Sequence, residues 1–254
     1  MKLPRTPSFR LDGRRALVTG GSRGIGLGAA VALAEAGAEV LIASRGRAER
    51  EAAVEEMRAR GMVAEGAELD VTDLPAVRRL FAEHGPFHIL VNSAGIARHT
   101  PALETDPEDY DMVMAVNARA AYFLAQEAAR GMVTAHIKGS IIQVSSQMGH
   151  VGGADRAVYC ASKHAVEGMT KAMAIEWGPL GIRVNTLCPT FIRTSLTEAT
   201  LADSAKLRWI EQKIKLGRAG EVEDIMGAVV WLASDAAALV TGTSILVDGG
   251  WTAD

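Results

Sequence analysis

The amino-acid sequence predicts a single-domain α/β fold in which a doubly wound parallel sheet of about seven strands carries helices on both faces. Short aliphatic runs alternate with longer segments of helical period over most of the 254 residues, which is typical of βαβ units. Hydrophobic residues make up 48% and aromatic residues 5% of the chain, enough for one large aliphatic core. No repeat, charge block or low-complexity linker divides residues 1–254, so we expect one domain.

Each strand of this sheet is predicted from an apolar run bounded by turn residues. The predicted strands are 15–19, 39–44, 63–69, 89–92, 140–145, 183–188 and 244–247. The predicted helices include 26–36, 49–60, 74–84, 107–130 and 158–177. Thr72 or Asp73 can cap the helix 74–84. Asp106 precedes Pro107 in a similar arrangement, because proline suits the first turn of a helix.

The segment 190–220 is the least regular part of the chain, polar and alternately charged between two well-marked elements. We predict that it forms a lid over the substrate, with an ordinary surface helix pair as the alternative. Its larger apolar residues are expected to form an underside that faces the site. They are Leu196, Leu201, Leu207, Trp209 and Ile214.

Composition excludes several classes of partner. The formal net charge of −3 gives no global positive field for nucleic acid or an anionic membrane. The first residues contain no apolar signal region, and no stretch approaches the ~18–20 apolar residues that span a bilayer. Cys160 and Cys188 show neither a C-x-x-C spacing nor a neighbouring histidine in sequence, so neither a disulfide nor a metal site is predicted. We therefore expect a soluble, cytoplasmic protein without nucleic-acid or membrane partners.

A glycine-rich turn follows the first predicted strand. Gly20 permits a tight turn, Gly24 lets the backbone approach an anion closely, and Gly26 lets the following helix pack against the strand. The first amides of that helix would face a pyrophosphate. The position of this turn, in the first βα unit of a parallel sheet, indicates a Rossmann-like dinucleotide site.

The spacing of these glycines, T-G-x-x-x-G-x-G, resembles that of the short-chain dehydrogenase/reductase family, and the resemblance covers nearly the whole chain. The motifs that carry it are T-G-G-S-R-G-I-G at 19–26, L-D-V at 69–71, N-S-A-G at 92–95, Asn117, Ser146, Y-C-A-S-K at 159–163, P-T-F-I-R-T at 189–194 and V-D-G-G at 247–250. Two positions depart from the family pattern. Ser93 replaces an asparagine, and Thr190 replaces a glycine that in relatives lies close to the nicotinamide.

Tyr159 and Lys163 lie four residues apart in a helical segment, so their side chains share one face. An ammonium near a phenol lowers the pKa of the phenol, and Tyr159 would then exchange a proton with substrate near neutral pH. The resemblance implies that Ser146, rather than the neighbouring Ser145, holds the reacting oxygen. It also implies that the backbone carbonyl of Asn117 anchors a water that leads from Lys163 to solvent; a satisfied core amide is the alternative.

The family resemblance further implies hydride transfer between a nicotinamide cofactor and a carbonyl or secondary alcohol, without a metal. The residues implied to bind the cofactor are Gly20, Ser22, Arg23, Gly24, Ile25, Gly26, Ser44, Arg45, Asp70, Val71, Asn92, Ala94, Gly95, Tyr159, Lys163, Pro189, Ile192 and Thr194. NADP(H) is predicted to be preferred, with NAD(H) as the alternative. Ser44 stands where NAD-preferring relatives carry an acid, and the guanidinium groups of Arg45 and Arg23 would flank a 2′-phosphate.

The substrate class stays open at this point. Within the family, the chain resembles 3-oxoacyl-carrier-protein reductases and sugar or polyol dehydrogenases, which share all these motifs. A patch for an acyl carrier protein would draw on Arg98, Arg119, Arg156 and Arg193. A non-catalytic dinucleotide sensor is the alternative outside enzymes.

A homotetramer is expected from the same resemblance. The helices near 118–131 and 158–177 are rich in small residues, and the apolar tail at Trp251 is expected to complete another interface.

Overall fold

A parallel sheet of seven strands forms the centre of the computed structural model, which describes residue 1 and residues 3–253. The strands are β1 (Arg15–Thr19), β2 (Glu39–Ser44), β3 (Ala64–Glu68), β4 (Ile89–Asn92), β5 (Ser140–Val144), β6 (Arg183–Pro189) and β7 (Ser244–Val247). Their order in the sheet is β3-β2-β1-β4-β5-β6-β7. The helices are α1 (Gly24–Glu35), α2 (Arg47–Ala59), α3 (Leu74–His84), α4 (Pro107–Met114), α5 (Ala121–Thr134), α6 (Ala157–Trp177), α7 (Glu198–Ala202), α8 (Ser204–Lys213) and α9 (Glu223–Ala233). The predicted doubly wound α/β fold is confirmed.

Most strand bounds agree with the sequence prediction, and the differences lie at strand ends. The third strand is one residue shorter at each end than the predicted 63–69, and the sixth extends to Pro189. The fifth ends at Val144, because the chain turns after Ser145 into a short 3₁₀ helix at Gln147–Gly149. The Ser145 amide still donates to the Leu187 carbonyl at 2.8 Å.

The helix predicted at 107–130 is interrupted. A π-helical segment, Ala115–Ala120, separates α4 from α5. Of the two predicted helix N-caps, one forms and the other does not. Asp73 caps α3 by accepting from the Ala76 amide at 3.0 Å, whereas Asp106 makes no side-chain cap hydrogen bond to α4.

Alternate residues of the central strands build two aliphatic cores on opposite faces of the sheet. Ala16 and Val18 of β1 face one core, where α1 and α9 contribute Leu33 and Val229. Leu17 faces the other, to which α5 contributes residues such as Leu124. Both faces are therefore buried, as a parallel sheet requires.

A chain of buried hydrogen bonds joins the three central strands where they end. The Thr19 hydroxyl donates to Asn92 Oδ1 at 2.8 Å, and Asn92 Nδ2 donates to Gln143 Oε1 at 2.8 Å. Gln143 Nε2 then donates to the Ala121 carbonyl at 3.3 Å. Each of these polar side chains is buried and satisfied, so the chain fixes the mutual position of β1, β4 and β5.

The segment 190–220 contains α7 and α8, which pack on a third, smaller apolar cluster. Leu201 and Ile214 are buried in this cluster and Leu207 is partly buried. Leu196 is 64% exposed and lies outside this cluster, so it departs from the expected underside. Trp209 is 48% exposed, but its ring packs against that of Trp251.

The C-terminal Trp251 is buried in its own chain. Its ring lies 5.6 Å from that of Phe191 and 5.3 Å from that of Trp209, measured between centroids. The chain therefore buries this ring without a neighbouring subunit.

Two further features concern the environment of the chain. Within residues 1 and 3–253, no helix has the length and apolar character needed to cross a membrane. Cys160 and Cys188 are both buried free thiols.

The glycine turn gives a first testable prediction. A Cβ on Gly26 would lie 2.2 Å from the Gly20 carbonyl oxygen, so Gly26→Ala must displace the turn. We expect a loss of about 1–3 kcal/mol in the free energy of unfolding, as in overpacked cores. The control is Gly227→Ala in α9, where a Cβ meets nothing within 4 Å and alanine is the better helix former. Equal stability of the two variants in urea denaturation would contradict the prediction.

Candidate active site

The carboxyl ends of β1 and β4 meet at the glycine turn. Gly20 and Gly24 adopt φ values of 65° and 52°, which favour glycine. A Cβ on Gly20 would lie 3.0 Å from Ala94 Cα, so the loops after β1 and β4 touch. Because the strand order reverses between these two strands, they define the crevice in which ligands of such sheets bind.

The first turn of α1 is built to receive an anion. Its N-cap residue, Arg23, makes no side-chain cap hydrogen bond, so the first amides are left for another acceptor. Ser22 and Ile25 flank Gly24 in this turn. A Cβ on Gly24 would lie 3.1 Å from Thr194 Cγ2, which places Thr194 opposite the turn. This cradle fits a pyrophosphate group between α1 and the loop after β6.

The end of β2 lies beside this cradle and contains the residues predicted to select the cofactor. Ser44 Oγ is buried and has no hydrogen-bond partner among the described residues, and Arg45 is exposed. Arg23 Nη1 lies 3.4 Å from Glu49 Oε1 in an exposed ion pair. Such pairs contribute little, so Arg23 can exchange this partner for a phosphate.

Two other predicted cofactor residues follow β3. Asp70 Oδ1 accepts hydrogen bonds from the Thr72 amide at 2.9 Å and its hydroxyl at 2.7 Å, which lowers the pKa of Asp70. Val71 is buried against the second core. Asp70 thus holds its own turn, while Val71 presents an apolar surface near the crevice.

The loop after β6 keeps a regular path although Thr190 stands in place of the family glycine. The Thr190 amide donates to the Val247 carbonyl at 3.3 Å, and Pro189 is the last residue of β6. Ile192 forms a parallel bridge with Gly220, which ties the start of segment 190–220 to its end. Thr190 Oγ1 is buried without a hydrogen-bond partner among the described residues.

Ser146 and Tyr159 lie together at the end of β5. The Ser146 hydroxyl donates to Gln147 Oε1 at 2.8 Å and accepts from the Met148 amide at 3.1 Å. Burial raises the pKa of Tyr159, and hydrogen bonding to Ser146 and the charge of Arg156 lower it in part. The expectation that a neighbouring ammonium leaves Tyr159 with a lowered pKa is therefore wrong for this state of the chain.

Lys163 lies one helical turn beyond Tyr159 and is buried. Its Nζ donates to the Val144 carbonyl at 2.9 Å and lies 5.7 Å from the Tyr159 ring centroid. Burial lowers the pKa of Lys163 to about 8. A Cβ on Gly95 would lie 3.8 Å from this Nζ, so Lys163 lies between β5 and the loop after β4.

Asn117 lies in the π-helical segment, and its side chain holds the loop after β4. Asn117 Nδ2 donates to the Ile96 carbonyl at 2.9 Å and to Ser162 Oγ at 3.1 Å, and its Oδ1 accepts from the Ile96 amide at 2.9 Å. This is the satisfied amide that the sequence left as an alternative.

A cavity of about 470 Å³ opens between residues 148–156 and segment 190–220. Ser146 and Tyr159 do not line it, but Tyr159 packs against the apolar cluster that forms part of its wall. Its lining includes the apolar residues Met148, Phe191 and Trp251. Three cationic side chains also line it, namely Arg156, Lys206 and Lys213, and no acidic residue does so among those described.

The other arginines proposed from the sequence point elsewhere. Arg98 and Arg193 lie 3.7 Å from Asp109 and 3.2 Å from Glu221, respectively. Arg119 lies over the Phe123 ring. The structure therefore does not bring the four arginines together into one patch.

His99 is a residue near Tyr159 that the sequence motifs did not single out. Its Nε2 lies 2.8 Å from Arg156 Nη1, and its ring packs edge-on against that of Tyr159 at 6.2 Å between centroids. Burial lowers the pKa of His99, with Arg156 as a second cause. His99 and Arg156 are 57 positions apart in sequence, so only the fold brings them into contact.

The fold and this constellation define a dinucleotide-binding oxidoreductase. A family model described as enoyl-(acyl carrier protein) reductase matches residues 20–252. Gluconate 5-dehydrogenase of Gluconobacter oxydans (strain 621H) is 40% identical over 248 residues, which cover 96% of either chain. L-xylulose reductase of Bos taurus is 39% identical over 245 residues, or 96% of this chain and 99% of the relative.

A solved structure agrees with these relatives over the whole fold. The crystal structure of a gluconate 5-dehydrogenase from Burkholderia cenocepacia J2315, in complex with NADP and tartrate, matches with a TM-score of 0.93 and 38% identity. The match covers 97% of this chain and 98% of that one. The chain belongs to the short-chain dehydrogenase/reductase family.

The arrangement of Tyr159 predicts the effect of removing its hydroxyl. Tyr159→Phe should lower kcat by about 10²–10⁴-fold, the usual contribution of general acid–base catalysis, while the Kd for the cofactor changes little. Tyr110→Phe, at an exposed tyrosine of α4, is the control and should keep wild-type kcat. A variant that keeps more than about a tenth of wild-type kcat would refute the role of Tyr159, because that loss is smaller than the least effect expected of a general acid–base group.

Proposed function

We propose that this enzyme interconverts a secondary alcohol and a ketone on a sugar acid, with NADP(H) as the hydride carrier. The observation that carries the substrate class is the cationic lining of the cavity beside Tyr159. Arg156 precedes α6, and Lys206 and Lys213 both lie on α8, so two segments bring three cations to one space. A carboxylate on the substrate would meet these charges, while its carbonyl would face Ser146 and Tyr159.

The names of the relatives point to two classes of substrate, acidic sugars and neutral sugars. Gluconate 5-dehydrogenase acts on an acid sugar by its name, and L-xylulose reductase on a neutral one. The B. cenocepacia structure contains tartrate, a hydroxy acid. The three cations favour the acidic class here. A 3-oxoacyl group on an acyl carrier protein is the competing substrate.

The residues present fit the dinucleotide. The turn of Gly20, Gly24 and Gly26 would hold the pyrophosphate, and the unpartnered Ser44 Oγ with Arg45 would receive a 2′-phosphate. NADP in the B. cenocepacia structure supports the same preference. When bound, the nicotinamide supplies or accepts the hydride.

The proton is handled by the chain's own side chains. In reduction, the Tyr159 hydroxyl donates its proton to the substrate oxygen and becomes a phenolate, and in oxidation the phenolate accepts the proton of the substrate hydroxyl. The Ser146 hydroxyl, released from Gln147, holds that oxygen and stabilises its developing charge. Lys163 stabilises the phenolate of Tyr159 and, by swinging from the Val144 carbonyl, would bind the nicotinamide ribose.

The proposal also includes three further expectations: a lid, a homotetramer and a cytoplasmic location. Segment 190–220 would close over the cavity as a lid, because Lys206 and Lys213 of α8 line it. The exposed apolar residues Tyr122 and Val133 of α5 and Ile175 of α6 support a homotetramer built on these helices. Two free thiols suit a reducing compartment such as the cytoplasm.

The cofactor proposal predicts an inversion of preference. Wild-type enzyme should show a higher kcat/KM with NADP than with NAD. The double variant Ser44→Asp, Arg45→Leu should reverse that ratio, because the new carboxylate repels a 2′-phosphate and accepts from a ribose hydroxyl. We expect a change in the ratio of at least about tenfold, the loss of one charge-assisted contact. A wild-type preference for NAD would overturn the proposal.

The substrate proposal predicts a charge-selective defect. Lys213→Gln should raise KM for a keto-aldonate by about tenfold, the value of one hydrogen bond to a charged group, and leave KM for a neutral ketose unchanged.

Arg208→Gln is the matched control for this experiment, because Arg208 lies on the same helix but not in the cavity lining. Equal effects on both sugars would contradict a carboxylate contact. Faster turnover of a 3-oxoacyl thioester than of any keto sugar would replace the proposed substrate class.

A further inference from the structure

A second cluster of reactive side chains lies behind the catalytic residues, outside the cavity. His150 follows the short 3₁₀ helix after β5, Glu167 lies on α6, and Cys188 on β6. One ligand atom of each residue lies within 4.8 Å of those of the other two. Glu167 and Cys188 are buried, whereas the His150 side chain is 28% exposed. None of the three takes part in the proton transfer described above.

The separations between these atoms match those of a tetrahedral metal centre. Cys188 Sγ lies 3.5 Å from His150 Nε2 and 3.3 Å from Glu167 Oε1, and His150 Nε2 lies 3.7 Å from Glu167 Oε2. Usual zinc bond lengths to sulfur, nitrogen and oxygen place tetrahedral ligands about 3.3–3.6 Å apart. The thiol faces one oxygen of the Glu167 carboxylate and the imidazole faces the other, so the three side chains need little movement to share one ion.

The Glu167 carboxylate is held by hydrogen bonds of the kind that orient the ligands of metal centres. Glu167 Oε2 accepts hydrogen bonds from Thr186 Oγ1 and Ser244 Oγ, so its orientation is fixed from β6 and β7. Such outer contacts orient the ligands of metal centres. Ser145 Oγ is a second sign of a ligand. It is buried beside the Cys188 thiol, and its only hydrogen-bonding interaction among the described residues is with that thiol, whose pKa it partly lowers.

We propose that His150, Glu167 and Cys188 form a binding site for one divalent cation of the zinc type. A cysteine, a histidine and a carboxylate are a donor set that zinc accepts, and a fourth ligand would stand near Ser145 Oγ. The neutral thiol of Cys188 would lose its proton to solvent on binding. The thiolate and the Glu167 carboxylate together then balance the two positive charges of the ion.

The site would clamp the catalytic loop. His150 lies four residues after Ser146, and the ion would tie it to α6 and β6, the two elements that position Lys163 and Pro189. The ion would not touch the reacting atoms. Its expected effect is therefore on the rigidity of the loop rather than on the chemical step, and the partly exposed His150 offers the entry path.

Cobalt binding tests the site directly. Untagged, chelator-treated full-length protein is titrated with Co²⁺ alone while the absorption spectrum is recorded. We expect one equivalent to bind, with a thiolate-to-cobalt charge-transfer band in the near ultraviolet and the visible bands of tetrahedral cobalt. Zn²⁺ should abolish these bands and raise the thermal midpoint of the protein.

Matched variants assign the bands to residues. Cys188→Ser should lose the charge-transfer band and the zinc-dependent rise in midpoint, whereas Cys160→Ser, at the other buried thiol, should keep both. Where Cys188→Ser does not fold, His150→Ala serves, because its side chain is partly exposed. It should weaken cobalt binding by at least about tenfold, since even outer-shell losses cost that much.

Three results would overturn the proposal. One is the absence of a charge-transfer band at saturating Co²⁺. The others are a band that persists in folded Cys188→Ser protein, or unchanged cobalt affinity in His150→Ala, and a band that Cys160→Ser removes. In those cases the cluster is a hydrogen-bonded buried carboxylate and nothing more.

Discussion

All seven strands of the sheet run parallel, so their carboxyl ends lie along one edge, and every part of the candidate site is placed by that constraint. Thr19, Asn92, Val144 and Pro189 each stand at the end of a different strand. The glycine turn follows the first of these residues, and the serine pair follows the third. Because the strand order reverses between β1 and β4, α1 and α5 lie on opposite faces and leave a crevice at this edge.

Polar side chains, rather than aliphatic packing, set the fine geometry of that edge. The hydrogen bonds from Thr19 through Asn92 to Gln143 lock three strand ends together, and a missing member would leave buried partners unsatisfied. Asn117 continues this arrangement towards the loop after β4 and towards Ser162 on α6. The network thus links the cofactor crevice to the helix that bears Tyr159.

The sequence was sufficient wherever the determining signal is local. The alternation of apolar runs located the sheet, and the four-residue spacing of Tyr159 and Lys163 placed both on one face of α6. Asp73 was a correct cap candidate because a cap bonds only three residues ahead. Asp106 has the same sequence signature without the bond, since the preceding loop decides where its carboxylate points.

The rest of the site depends on contacts between distant segments. The cavity cations come from residue 156 and from α8, and the pairing of His99 with Arg156 joins two loops. His150 and Cys188 are 38 residues apart, so no motif spacing could announce their contact. The direction of the Tyr159 pKa shift was mispredicted for the same reason. Spacing along a helix shows which ammonium is near, but burial by other segments decides which effect is larger.

The cations that line the cavity also bear on the pKa of Tyr159. A carboxylate substrate would add a negative charge near the phenol and so raise its pKa further, which hinders its use as a base in oxidation. Arg156 already lowers the pKa of Tyr159 and lines the same cavity. Lys163, whose pKa lies at about 8, remains a cation only below that pH and cannot alone offset the substrate charge at higher pH. A fixed guanidinium does so over the whole range, because arginine stays charged. Under the proposed function, Arg156 would therefore both hold the acidic substrate and keep Tyr159 usable as a base.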